Sequence, residues 1–156
     1  MRASRLLLVT ITGAVAIGAS ALALHLSPAA PASMPAPLFQ GADIDSATLR
    51  LFERSCQDCH SQRTNWPWYG RLPPASWLLQ RDVDEARSHL DLSHWDNYPP
   101  DQRRVLLSAI GVAARAGVMP PQRYLLLHPE SRLSPAERQR LYEWTRAEKA
   151  RLTREK

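Results

Sequence analysis

The chain has 156 residues, 44% of them hydrophobic and 22% charged, which suits one domain behind a leader. Its formal charge is +5, and setting aside Arg2 and Arg5 in the leader leaves +3. So small a surplus gives no nucleic-acid footprint, and the Arg-rich end from Arg146 to Lys156 reads as a solvated helix tail.

The N-terminus reads as a targeting segment, residues 1–26. Arg2 and Arg5 make a positive start, and Leu6 to Leu24 then runs 19 residues without a charge. A cleaved signal carries an apolar region of about 7–15 residues, whereas a spanning helix needs about 20. The length favours an uncleaved signal anchor over a signal peptide, although Ala21-Leu22-Ala23 and Ala30-Pro31-Ala32 offer small-residue cleavage sites. Basic residues ahead of the stretch keep the N-terminus inside and send the rest out. Either way the domain is expected on the periplasmic side. No cysteine lies near the leader, which excludes a lipoprotein anchor. Residues 27–39 form a Pro/Ala-rich spacer, extended and semi-rigid. The folded domain is expected over 40–156.

Beyond Gln40 the pattern is helical, with no convincing strand pair. Asp43 or Asp45 can cap a first helix whose apolar stripe is Ala47, Leu51 and Phe52. That helix runs into Cys56-Gln57-Asp58-Cys59-His60, which holds the only two cysteines. Cys-x-x-Cys-His is the spacing of a c-type haem attachment site. Two sulfurs on one turn of chain can form thioethers to the two haem vinyl groups, and the adjacent imidazole becomes an axial iron ligand. Three alternatives compete. A thioredoxin-like pair wants a βαβ context that is missing. Zinc needs a fourth ligand, which His89, His94 or His128 could supply. A disulfide at this spacing closes too small a loop to staple much.

Trp66, Trp68, Tyr69 and Trp77 crowd the stretch after the motif. Rings with one polar atom suit the rim of a haem pocket; for at least two of the four, plain packing explains them better. Trp66, Tyr69 and Trp77 are the pocket candidates. Arg71, Arg81 and Arg87 are candidate partners for propionates.

Ser76 can cap a second helix, with Leu79, Val83, Ala86 and Leu90 at helical spacing. His89 and His94 near its end read as surface or hydrogen-bonded residues. Pro99-Pro100 opens a third helix with Leu106, Ile110 and Ala113 on one face, stopped by Gly117. Met119 is the one methionine beyond the leader and spacer, and it stands between that glycine and Pro120-Pro121. A loop held by two prolines can keep a weak thioether ligand in place, so Met119 is the candidate sixth iron ligand. A gap-filling core methionine is the alternative, and His128 is the rival ligand. Ser134-Pro135-Ala136-Glu137 is a capping box that starts a fourth helix carrying Leu141, Trp144 and Leu152.

Phe52 ahead of the motif, the motif itself, and Tyr142 and Trp144 on the last helix resemble a class I cytochrome c. The resemblance implies an all-α, cytochrome c-like helical domain around one covalently attached haem c. It also implies first and last helices that cross through those aromatic residues, although Thr48 stands where that family usually has glycine. It places Met119 at a familiar distance from His60, and it offers the carbonyl of Pro73 or Pro74 as acceptor for the His60 ring. The chain is more closely similar to a bacterial haem-binding domain family. The matching segments are Cys56 to Ser61, Thr64 to Tyr69, Pro74 to Leu78, Asp82-Val83, Leu92 to Trp95, and Met119-Pro120-Pro121 with Tyr124, His128 and Pro129.

The expected function is periplasmic electron transfer with His60 and Met119 on iron, membrane attachment through the leader, and an unnamed redox partner protein. The alternative is a peroxidase-like haem enzyme or a gas or redox sensor, in which Met119 leaves and the sixth position opens. A structural zinc protein comes third.

Overall fold

The computed structural model describes residues 37–155, and every regular element in them is helical, without a strand. The expected leader and nearly all of the spacer lie outside the described residues. No described helix is long and apolar enough to cross a membrane. The described chain divides into two units, one of Trp66–Asp82 and one of 37–65 with 83–155.

In the larger unit, α1 (Ser46–Ser55) starts where the Asp45 carboxylate accepts from the backbone N–H groups of Ala47 and Thr48. It buries Thr48, Leu51, Phe52 and Ser55. Thr48 turns its hydroxyl back onto Asp45 at 2.5 Å, so the threonine works as part of the cap. Cys56 ends α1 and caps the single-turn α2 (Gln57–His60). A longer helix, α3 (Ala75–His89), comes next, followed by a 3₁₀ segment over Leu92–Asn97.

The next helix, α4 (Pro100–Ala116), has proline in its first turn and ends on Gly117 at φ +70°. Left-handed backbone there is the ordinary use of a glycine stop. Its fully buried residues are Leu107, Gly111 and Ala114. The face expected from Leu106, Ile110 and Ala113 is therefore displaced by one residue, with Leu106 and Ile110 packing at its flank. Gly111 explains the choice. A Cβ built there would stand 2.4 Å from the Thr145 hydroxyl oxygen of the last helix, so the backbones approach where a side chain is missing.

After the one-turn α5 (Gln122–Leu125), the chain closes with α6 (Pro135–Arg154). Its capping box is complete, with Ser134 and Glu137 each bonding the other's backbone N–H. Leu141, Trp144 and Leu152 are buried as expected.

The core centres on four rings. Phe39 meets Phe52, Trp144 and Trp95 at centroid distances of 4.6, 5.0 and 5.1 Å, and Phe52 meets Trp144 at 5.2 Å, all edge-on. The first and last helices thus pack through Phe52 and Trp144. Tyr142 does something else: it faces α4 and lies under the Arg115 guanidinium, 4.5 Å away. Packing reaches back to Leu38 and Phe39, ahead of the start expected near Gln40. Phe39 takes a positive φ of 54°, a strained value for a large side chain that the surrounding rings hold in place.

The smaller unit is the aromatic stretch. It contains a 3₁₀ turn over Trp68–Arg71 and the beginning of α3. Ser76 does not cap α3 as expected. It sits one residue inside the helix, 2% exposed, with its hydroxyl unpaired, and its backbone N–H goes to Leu72 O. The helix begins at Ala75, directly after Pro73-Pro74, which are joined by a cis bond.

Candidate haem site

Cys56 and Cys59 stand on one helical turn and form no disulfide. His60 closes that turn, its backbone N–H bonded to Cys56 O at 3.0 Å. The imidazole Nδ1 lies 3.0 Å from Leu90 O. A carbonyl can only accept, so Nδ1 carries the proton and Nε2 keeps a lone pair. The expected acceptors, Pro73 and Pro74, are not the ones used. Leu90 directly follows α3, where the last carbonyls of a helix have no partner within it and are available to outside donors. Burial pulls the His60 pKa down, only partly opposed by the backbone oxygens of Leu90 and Ala86, so the ring is neutral. A neutral imidazole with one nitrogen held by a carbonyl is the form that binds a metal.

Burial also pushes the Cys56 thiol up to about 12, with Cys59 beside it adding to the rise. That direction is opposite to the lowered thiol that thioredoxin-like chemistry uses. Among the described residues no group of three or more His, Cys, Asp or Glu gathers as a zinc site would require.

The chain leaving the motif is held at each step. Ser61 Oγ donates to Gln57 O at 2.8 Å. The Ser93 hydroxyl accepts from Gln62 N at 2.9 Å, and the Asp91 carboxylate accepts from Gln62 Nε2 at 2.8 Å. Arg87 donates to Ser61 O at 2.9 Å and to the Thr64 hydroxyl at 2.7 Å, so it braces the motif. Asp58, between the cysteines, accepts from Tyr124 OH at 2.9 Å. Apart from the local Ser61–Gln57 bond, no local signal paired these residues, because the partners lie 23 to 66 residues apart.

Met119 is 43% exposed, which removes the reading of a gap-filling core methionine. It lies between Gly117 and the one-turn α5 that carries Tyr124. His128 stacks on the Tyr124 ring at 4.3 Å and faces Glu130 at 3.3 Å. His94 is hydrogen-bonded to Asp91 at 2.8 Å, in keeping with the surface role expected of it. Trp66, Tyr69 and Trp77 all fall in the smaller unit. There Trp77 is half exposed, Tyr69 packs edge-on against Trp68, and the buried Trp66 indole N–H has no acceptor among the described residues.

An all-α unit that presents two thiols and a carbonyl-held imidazole on one turn has a donor set that fits haem. The family profile described as Haem-binding domain matches residues 16–147, and the chain belongs to that family. Neither a curated protein nor a solved structure is matched by this chain.

Proposed function

We propose that the protein is an exported c-type cytochrome that passes single electrons. In this reading Cys56 and Cys59 hold one haem c through thioethers, and His60 and Met119 ligate its iron. The observation that carries it is the bond from His60 Nδ1 to Leu90 O beside two thiols that are not joined to each other. Haem c would supply a one-electron couple at iron. The chain's own part is to orient and exclude. Leu90 O fixes the ring and raises the basicity of Nε2. Arg87, Asp91 and Ser93 stiffen the turn that bears it. Met119, as a second residue on iron beside His60, would raise the potential through its thioether and would leave substrate no open place to bind. Leu6 to Leu24 is read as the anchor that keeps the domain at the periplasmic face of the inner membrane.

Expression in a host with cytochrome maturation machinery tests the attachment. Haem should survive acid–acetone extraction and stain on a denaturing gel, and Cys56→Ala with Cys59→Ala should lose it. A mass equal to the bare polypeptide defeats the proposal. Rapid carbon monoxide binding by the reduced wild type would favour the enzyme or sensor alternative. Protease added after outer-membrane permeabilisation should reach the domain, and the protein should pellet with membranes. A mature chain beginning near Leu24 or Ser33 would sink the anchor while leaving export intact.

A further inference from the structure

Asp58 lies between the two cysteines and is the most heavily bonded residue of the motif. Its backbone carbonyl accepts from Thr64 Oγ1 at 2.7 Å. Its Oδ1 accepts from the backbone and side-chain nitrogens of Asn65 at 3.0 and 3.3 Å. Both groups come from the stretch just beyond the motif. The remaining oxygen, Oδ2, takes the Tyr124 hydroxyl at 2.9 Å, across 66 residues of chain. One carboxylate therefore joins the cysteine turn to α5.

The Tyr124 side of this link is stiff. Tyr124 N donates to Pro121 O at 3.0 Å and Leu125 N to the same oxygen at 3.2 Å. The Tyr124 carbonyl takes His128 N at 3.0 Å, and its ring stacks on the His128 imidazole. Ser131 Oγ then donates to Arg54 O on α1 at 2.9 Å. Met119 is separated from Pro121 by Pro120 alone, Pro120 is buried, and the ring of each proline fixes its φ. The backbone between Met119 and the Tyr124 hydroxyl has few torsions left to vary.

We propose that Tyr124 is a positioning residue: its bond to Asp58 latches the Met119 loop to the turn that carries Cys56, Cys59 and His60. The proposal rests on Met119 as an iron ligand. A thioether is a weak ligand on an exposed loop, and its occupancy depends on how narrowly the loop is held. The latch does that holding from the protein side.

Tyr124→Phe in the full-length, haem-loaded protein tests it, because the ring and its stack on His128 are kept and only the hydroxyl is lost. The weak sulfur-to-iron band of the oxidised protein should fade. Carbon monoxide should bind the reduced protein roughly tenfold faster, the scale of one lost hydrogen bond to a charged group. Trypsin should cut faster after Arg123. Asp58→Ala should do the same, and the double variant should be no worse than the more affected single one. Added to Met119→Ala, Tyr124→Phe should not speed carbon monoxide further. A Tyr124→Phe protein that loses only melting temperature, with band and carbon monoxide rate unchanged, overturns the latch while Met119→Ala still opens the iron. A Met119→Ala protein with the wild-type band and rate overturns the ligand assignment, and the positioning role falls with it. Which variant is silent tells the two failures apart.

Discussion

Which nitrogen of His60 is left with a free lone pair is decided by one carbonyl, that of Leu90. His60 stood out as a candidate because its signal is local: two cysteines and a histidine within five positions. Its acceptor was not legible, because it comes from the far end of another helix, and the resemblance pointed to the prolines instead. The pairings of Asp58, Arg87 and Tyr124 were hidden for the same reason: a lone aspartate between cysteines carries no mark of its partner, and Arg87, expected as a propionate partner, bonds Ser61 and Thr64. Met119 shows how exposure changes a magnitude. A packed methionine cut to alanine costs about 2–5 kcal/mol. At 43% exposure, Met119 buries too little for that. In haem-free protein, made without maturation machinery, Met119→Ala should cost about 1 kcal/mol or less by urea unfolding. A loss of several kcal/mol would mean that the side chain is packed after all. In the haem-loaded protein the proposed ligation predicts a larger cost, since an iron bond would go with the side chain.

At the scale of elements, caps were readable and faces were less so. Asp45, the Pro99-Pro100 start, the Gly117 stop and the Ser134–Glu137 box all act over three or four residues. Ser76 is not the cap because the helix already begins at Ala75. The buried face of α4 slipped by one residue because a glycine, which carries no apolar signal, marks the closest approach to α6. Gly111→Ala should therefore cost about 1–3 kcal/mol through overpacking against Thr145. Thr145→Ala should recover part of that loss when combined with it; a fully additive pair would show that the clash is relieved elsewhere. Ser134→Ala should cost about 1 kcal/mol through loss of the cap. The box also gives a pH signature. Backbone bonding at Ser134, together with the Ser134 hydroxyl and Arg54, holds the Glu137 carboxyl below its ordinary value. A carboxylate lowered on folding contributes stability that is complete above its unfolded pKa and is lost as pH falls through the folded one. Wild type should lose more stability than Glu137→Gln when acidified below about pH 4.5, the ordinary glutamate value. Parallel acid profiles would remove Glu137 from the account.

The larger unit as a whole is closed by a tie between its two ends. Phe39 and the residues after it pack on α6, more than 100 positions away. The rings supply the apolar part, and polar groups fix the register. Trp144 Nε1 donates to Asp43 O at 2.8 Å, and Arg151 reaches Gly41 O at 3.1 Å. Glu148, 2% exposed, is the buried member. It accepts from Arg151 at 2.6 and 2.7 Å and from Asp43 N at 3.3 Å. A buried carboxylate is tolerated only while its partners stay, because removing one leaves a charge without compensation in a low dielectric. Arg151→Ala should therefore destabilise by about 3 kcal/mol, far beyond an ordinary surface substitution. Glu148→Gln in the same background should restore a good part of that, since the amide keeps an acceptor for Asp43 N and sheds the charge. Alone, Glu148→Gln should cost less than Arg151→Ala, because Arg151 can still reach Glu155, at 2.6 Å, and water. Denaturant unfolding of the four proteins gives the coupling directly. Equal losses from Arg151→Ala with and without Glu148→Gln would mean that the arginine acts through Gly41 and packing, not through the buried charge.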